Sequence, residues 1–289
     1  MWSHFDRIVI AVRDLGSAVQ TYAALLGLPS PHLDAAQVEA TAAGVFFPLR
    51  NGCVELRSAR EPTHYSVEGV RGLALGCDSL HSTVGMLEAR GLTGSVRETL
   101  AWDAVRGVIV RAREWAIDPA RTHGVPLAIR ERKEGDAPPS SSRGDAAEDG
   151  ARGRVHGLDH VVVRTRHPER AIELYRDRLG LRLALDRAFP ERRVRLIFFR
   201  LAGVTIEIAA PVAPTPSDES AGDSVDTLWG VAYGVAEPRR ARGRVAAAGF
   251  DVSEVRPGNK AGTAVCTVRA ETHGVPTLLV GPAEAETDA

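Results

Sequence analysis

DHVVVRTRHPERAIELYRDRLGL, residues 159–181, repeats the pattern of DRIVIAVRDLGSAVQTYAALLGL, residues 6–28. Eight of the 23 aligned positions are identical at a constant offset of 153, and three others exchange isoleucine and valine. The match returns near the end of each half, where THGVP occurs at 122–126 and again at 272–276. Because self-similarity at a fixed offset marks a duplicated structural unit, the sequence predicts two related halves.

Each half contains the same order of elements twice. The third unit begins with a predicted strand over 158–165, where β-branched residues dominate. A stripe of apolar residues at helical spacing follows, and Gly180 is placed to end that helix. The stripe consists of Ala171, Ile172, Tyr175 and Leu179. Three extended segments come next, and the order restarts with strand 228–235, so the sequence predicts an α+β fold of four βαβββ modules.

A polar stretch over 133–153 separates the two halves. It contains no aliphatic residue larger than alanine and cannot offset its ordering entropy by burial. We therefore predict a flexible linker between two domains. The predicted units are an N-terminal domain 1–132 with modules at about 4–60 and 69–131, a C-terminal domain 154–282 with modules at about 155–212 and 226–281, and a tail 283–289.

Composition and charge exclude several classes of protein. The chain of 289 residues carries 36 basic and 37 acidic residues, without the basic excess of a nucleic-acid binder. No apolar run reaches the length of about 18 residues that a membrane helix needs. The three cysteines form no CxxC pair, as is typical of a reducing compartment. We expect a bacterial, cytoplasmic protein, either a monomer or a homodimer, whose partner is a small molecule.

The two repeated openings resemble the start of modules in the vicinal oxygen chelate superfamily. That superfamily includes glyoxalase I, bleomycin-resistance proteins, methylmalonyl-CoA epimerase and extradiol dioxygenases. The resemblance implies that each pair of modules forms a cup-shaped mixed β-sheet with its helices outside. It also implies a metal site inside the cup, with one ligand near the start of the first strand and one on the fourth strand of each module.

Only one module of this chain matches both of the family's ligand positions. The equivalent residues are His160 and Glu207 in the third module, Gly230 and Leu278 in the fourth, Arg7 and Glu55 in the first, and Gly72 and Ala128 in the second. The resemblance therefore implies a divalent metal (Fe, Mn, Ni or Zn) held by His160 and Glu207 in an incomplete set, or otherwise no cofactor. The N-terminal site is expected to be degenerate.

Several roles stay open for these residues. His160 and Glu207 are candidate metal ligands, a metal-free acid–base pair, or a hydrogen-bonded pair in a binding cavity. Arg7 and Glu55 are expected to form an ion pair where relatives hold a metal, or to anchor a substrate through Arg7. Phe199 is a further candidate for contact with a ligand.

The function expected from this resemblance is an enzyme acting on a small oxygenated organic molecule in the C-terminal cup. A lyase, isomerase or cyclase step through an enolate-like intermediate is favoured over oxygen insertion, because iron dioxygenases need three protein ligands. The alternative is a non-catalytic protein that sequesters a hydrophobic metabolite or an antibiotic, as bleomycin-resistance proteins do. His123 and His273 are interpreted as turn residues of the two THGVP segments.

Overall fold

The computed structural model describes residues 2–29, 44–59, 67–131, 153–212 and 225–283. These ranges form fifteen strands and four helices. Of the predicted linker and tail, only Gly153 and Ala283 fall within them, so both segments otherwise lie outside the described residues. No helix in these ranges is long and apolar enough to cross a membrane.

The N-terminal half forms a closed, seven-stranded barrel. Its strands follow the order β1-β3-β2-β5-β6-β7-β4, and β4 pairs antiparallel with β1 to complete the ring. In chain order the elements are β1 (Trp2–Val12), α1 (Leu15–Leu26), β2 (Val45–Leu49), β3 (Gly52–Ser58), β4 (Gly69–Cys77), α2 (Leu80–Ala89), β5 (Gly94–Asp103), β6 (Val108–Ile117) and β7 (Leu127–Glu131).

The C-terminal half forms an open, eight-stranded sheet of order β13-β14-β15-β12-β8-β11-β10-β9. Helix α3 runs over Pro168–Ile172 and continues as a π-helical turn over Glu173–Arg178. The other elements are β8 (Val155–Arg164), β9 (Arg182–Phe189), β10 (Val194–Leu201), β11 (Val204–Pro211), β12 (Thr227–Val235), α4 (Pro238–Ala247), β13 (Arg256–Pro257), β14 (Thr263–Val268) and β15 (Thr277–Pro282).

The predicted α+β class and its repeated βαβββ order are confirmed. The predicted helical stripe is buried against the sheet, and Gly180 ends its helix with a φ of 70°, in the left-handed region that favours glycine. Gly27 ends α1 in the same way, with a φ of 73°. In the first module, the segment in which a further strand was expected lies outside the described residues.

The N-terminal sheet closes into a barrel because its edges meet. Strands β5 and β6 are ten residues long, and β5 reaches β2, where Val45 pairs with Trp102 and Phe46 with Asp103. The equivalent strand of the C-terminal half, β13, has two residues and pairs only with β14 among the described strands. The length of one strand therefore separates a closed barrel from an open cup.

Partly buried hydrogen bonds join the two halves. The Asn51 side chain, in the turn between β2 and β3, donates to the Leu158 carbonyl at 2.8 Å and accepts from the Leu158 amide at 2.9 Å. Arg244 of α4 donates to the carbonyls of Ala24 and Leu25, which lie at the end of α1. A cation at the C-terminus of a helix also interacts favourably with the helix dipole.

The first prediction concerns Asn51. The substitution Asn51→Ala leaves two buried backbone groups of Leu158 without this partner, and we expect a loss of about 1–3 kcal/mol in the free energy of unfolding. Urea unfolding with an unchanged slope measures that loss. Asn259→Ala is the matched control, because Asn259 is exposed. If Asn51→Ala is as stable as Asn259→Ala, the hydrogen bonds of Asn51 to Leu158 do not stabilise the fold.

Candidate functional site

Parallel pairing of the first and fourth strands brings the candidate residues together in each half. In both the first and the third module, the first-strand residue pairs with the residue two positions before the fourth-strand residue. The pairs are His160 with Thr205, before Glu207, and Arg7 with Cys53, before Glu55. The register inferred from the repeat is therefore the register of the structure.

The second and fourth modules keep this register without a ligating side chain. Leu73 pairs with Leu127, and Val231 pairs with Thr277. One position before these pairs, Gly72 corresponds to Pro126 and Gly230 corresponds to Pro276. Two residues after the prolines, the fourth-strand positions hold Ala128 and Leu278. A side chain at Gly230 would place its Cβ 2.7 Å from the Pro276 carbonyl oxygen, so close backbone approach excludes a ligand there.

His160 lies between two carboxylates. Its Nδ1 is 2.8 Å from Asp159 Oδ1, and its Nε2 is 3.9 Å from Glu207 Oε2. A carboxylate accepts hydrogen bonds, so the Nδ1 proton is directed to Asp159 and Nε2 faces Glu207. The side chains of His160 and Glu207 are 21% and 18% exposed, which leaves both within reach of a small molecule.

The surroundings shift the pKa values of the Glu207 and Asp159 carboxyl groups in opposite directions. Burial raises the pKa of Glu207, and the attraction of His160 offsets this only in part. The hydrogen bond from His160 lowers the pKa of Asp159. The environment therefore favours the ionised form of Asp159 and disfavours the ionised form of Glu207, a divergence that also occurs in acid–base sites.

The sequence analysis missed Asp159, although the repeat contained a signal for it. Asp6 and Asp159 are identical in the alignment, and each precedes the first-strand residue of its module. In the structure Asp6 Oδ2 lies 2.6 Å from Arg7 Nη1, just as Asp159 contacts His160. An acid that neighbours the site residue is therefore a shared feature of the two halves.

The expectation that Phe199 contacts a ligand is wrong. Phe199 has no exposed surface and stacks on Tyr175 of α3, with ring centroids 5.4 Å apart. Because neighbouring residues of a strand point to opposite faces, Phe198 lies on the other face, directly across from Glu207. The aromatic residue beside the His160–Glu207 pair is therefore Phe198.

A second aromatic residue lies on the neighbouring strand. The Arg164 guanidinium stacks over the Trp229 ring, 3.9 Å from its centroid, and Trp229 is 41% exposed. Arg164 shares its strand face with His160, because the two are four residues apart on β8. This cation–π pair gives that face a planar, partly apolar surface that sequence reasoning did not identify.

The residues present do not fit a resident catalytic metal. His160 and Glu207 supply two ligands, with Asp159 behind the imidazole, whereas catalytic zinc sites and the facial triad of iron enzymes use three. Within the described ranges, no group of three His, Cys, Asp or Glu residues is arranged to hold a metal ion. The chemistry considered below accordingly uses only the side chains of the chain itself.

In the N-terminal barrel, Arg7 lies at the centre of a buried charge network. Its Nε is 2.5 Å from Glu55 Oε2, its Nη1 contacts Asp6, and its Nη2 donates to Glu114. Burial opposes the charge of Arg7, but Glu55 and Glu114 outweigh this effect and raise its pKa. Glu114 was not found from the sequence, because it lies on β6 and has alanine as its counterpart in the other half.

The two THGVP histidines lie where the halves meet. His273 Nδ1 is 3.2 Å from Glu68 Oε1, and its ring stacks with Tyr22 at 6.3 Å. The His123 carbonyl accepts a hydrogen bond from the Asp226 amide at 2.8 Å. Both histidines have a positive φ, as tight turns allow, and both contact the opposite half of the chain.

Comparison with known proteins agrees with this geometry. Residues 159–267 match the family model described as Glyoxalase/Bleomycin resistance protein/Dioxygenase superfamily. A Mn(II)-bound glyoxalase from Novosphingobium aromaticivorans is 17% identical over 98% of this chain and 83% of its own, with a TM-score of 0.65. A mutant 4-hydroxymandelate synthase from Streptomyces coelicolor is 13% identical over 99% and 94%, with a TM-score of 0.63. These likenesses show a shared fold, and no curated protein sequence matches the chain.

The raised pKa of Glu207 leads to a prediction about stability. Its ionised form is disfavoured in the folded state, so this residue costs stability as the pH rises from its ordinary pKa of 4.5 through its raised value. We expect Glu207→Gln to raise the melting temperature near neutral pH and to leave it unchanged below about pH 4. The exposed Glu191→Gln should show no such difference, and a lower melting temperature for Glu207→Gln at neutral pH would contradict the prediction.

A second prediction concerns Arg7. The substitution Arg7→Met leaves Glu55 and Glu114 buried without their shared cation, and we expect a loss of about 3–5 kcal/mol in the free energy of unfolding. Because the pKa of Glu114 is held below 4.5 in the native protein, the loss should be largest at neutral pH and shrink in acid.

Arg111→Gln is the control for Arg7→Met. Arg111 pairs with Glu98 at 3.3 Å on the exposed surface of the same barrel, and such pairs contribute about 0–1 kcal/mol. Chemical unfolding at several pH values compares the two variants. Equal, small losses would show that the Arg7 network does not support the fold.

Proposed function

We propose that the C-terminal cup, whose residues 159–267 match the model of the glyoxalase/bleomycin resistance/dioxygenase superfamily, binds a small oxygenated organic molecule and transfers a proton on it. His160 and Glu207 form the acid–base pair. The observation that carries the proposal is the arrangement of Asp159, His160 and Glu207, with an imidazole hydrogen-bonded to Asp159 and 3.9 Å from a half-buried carboxyl group of raised pKa.

The proposed reaction begins with a carbon acid between Glu207 and His160. In the proposed reactive state Glu207 is ionised and His160 carries a proton on Nε2. The Asp159 carboxylate balances the charge of the ring. Glu207 then takes the proton from the carbon next to a carbonyl group, and the electron pair of the broken C–H bond moves to the carbonyl oxygen. The resulting enolate accepts a hydrogen bond from Nε2, which stabilises it.

The enolate has two outcomes that need no oxidant. If Glu207 returns the proton to the same or a neighbouring carbon, the reaction is an isomerisation. If a substituent on the adjacent carbon departs with its electron pair, the reaction is a lyase step. A raised pKa suits Glu207 to both roles, because a general base works best when its pKa is near the working pH.

The cup also offers surfaces that recognise a substrate. Phe198 lies directly across from Glu207, and the Arg164–Trp229 pair lies further along the same face. An aromatic ring and a stacked guanidinium favour a ligand with a flat apolar part and a polar or anionic group. We therefore propose a planar carbonyl compound rather than a sugar-like one.

One observation favours a second function, that of a non-catalytic binder. Four positions of the C-terminal half correspond to the metal ligands of the superfamily, and Gly230 and Leu278 put no ionisable or nucleophilic group at two of them. Trp229 presents a partly exposed ring nearby. A protein that sequesters a hydrophobic metabolite or antibiotic needs that surface and no proton transfer. The two functions differ in whether bound molecules exchange hydrogen.

A screen of carbonyl compounds in deuterium oxide, followed by NMR, tests the proposal. Ligand-observed spectra report binding, and loss of the proton signal next to the carbonyl reports exchange. We expect bound compounds to exchange, and we expect Glu207→Gln and His160→Gln to slow exchange by about 10²–10⁴-fold while still binding. Glu191→Gln, at an exposed glutamate of the same domain, is the control.

Two results would decide against proton transfer. Exchange that persists unchanged in Glu207→Gln would remove the catalytic role of this residue. Binding without exchange in the native protein would favour the sequestering function.

A further inference from the structure

The N-terminal barrel has a partly open cavity of about 750 Å³ that the proposed function does not use. Arg7, Gly72 and Ala128 line it, and these residues occupy three of the four positions that correspond to the family's metal ligands. Glycine and alanine leave the space beside Arg7 open. The volume lies in the range of about 300–1,000 Å³ that small-molecule sites occupy.

The charges around this cavity are arranged in a chain. Glu55 contacts Arg7 through one oxygen and Arg57 through the other, the latter at 2.6 Å. Glu114 is shared in the same way by Arg7 and Arg97, with Arg97 Nε at 2.6 Å. Three guanidinium groups thus share two carboxylates, and both oxygens of each carboxylate already face a cation.

Arginines outnumber carboxylates on the cavity wall itself. Arg7, Arg57 and Arg97 line the cavity, whereas Glu114 is the one carboxylate of this network among the described lining residues. Asp118 also lines the cavity at its exposed rim, where its carboxylate accepts the Ala120 amide at 3.0 Å. A wall with three guanidinium groups and two carboxylates favours an anionic ligand.

Arg57 and Arg97 have the donors to bind such an anion. Both line the cavity, and in the described ranges each contacts its carboxylate through Nε, which leaves the paired Nη groups for a further partner. The Arg97 side chain is 43% exposed and therefore reachable. A guanidinium fork matches the two oxygens of a carboxylate better than any other side chain does.

The rest of the wall is apolar. Four aliphatic residues from different strands line it: Val9, Leu73, Ile117 and Leu127. We propose that this cavity binds a small organic carboxylate, with its charge on Arg57 and Arg97 and its hydrocarbon part against the aliphatic wall. Arg7 acts here as a fixed internal cation that holds Glu55 and Glu114 in place. Within residues 153–212 and 225–283, no side chain of the C-terminal half lines the cavity, so this site is independent of the proposed proton transfer.

Isothermal titration of the full chain with benzoate tests the inference, with benzamide as a neutral probe of nearly the same shape. We expect saturable binding of one benzoate per chain and no saturable binding of benzamide. Arg97→Gln removes one charged donor, and we expect at least about tenfold weaker binding. Arg111→Gln removes an arginine from the exposed surface of the same barrel and should bind as the native protein does.

Ser95→Phe provides a variant that keeps every charge of the network. Ser95 lines the cavity, and a phenyl ring at this position adds volume to the cavity wall while every charged residue of the network is kept. We expect it to abolish benzoate binding, with an unchanged circular dichroism spectrum.

Three results would overturn the inference. They are the absence of saturable benzoate binding by the native protein, equal binding of benzoate and benzamide, and unweakened binding by folded Ser95→Phe. If Arg97→Gln does not fold, the Ser95→Phe result decides alone.

Discussion

The parallel ladder between the first and fourth strands of each module is the constraint on which both sites depend. It places one residue of the first strand beside a residue two positions further along the fourth, whatever their side chains are. Backbone hydrogen bonds thereby set the geometry, and the residue types set the chemistry. This separation explains how one scaffold presents His160 with Glu207 in one half and Arg7 with Glu55 in the other.

The two halves shift the pKa values of their site carboxyl groups in opposite directions. In the barrel, Arg7 supplies a permanent positive charge, and the pKa of Glu114 falls. In the open cup, His160 only partly offsets the effect of burial, and the pKa of Glu207 rises. The first arrangement holds charges in place and supports the fold. The second disfavours the ionised form of Glu207, which costs stability once the pH rises above the ordinary pKa of a glutamate.

Features encoded locally could be predicted from the sequence, and features that depend on long-range contacts could not. The repeat and the glycine that ends α3 follow from spacing, and the pairing of His160 with Glu207 was implied by the resemblance to the superfamily. The role of Glu114 could not be found, because β6 has no matching acid in the other half. The side to which Phe199 points also escaped prediction, since strand alternation offers two faces without saying which one the helices cover.

The different closure of the two sheets bears on how fast ligands come and go. In a barrel whose strands form a complete ring, a bound ligand can leave only through the open ends. An open sheet lacks that restriction, so a ligand bound there would leave at a rate set by its own contacts. The closure of the N-terminal sheet through the ten-residue strand β5 is therefore expected to give slower ligand exchange in that half than in the other.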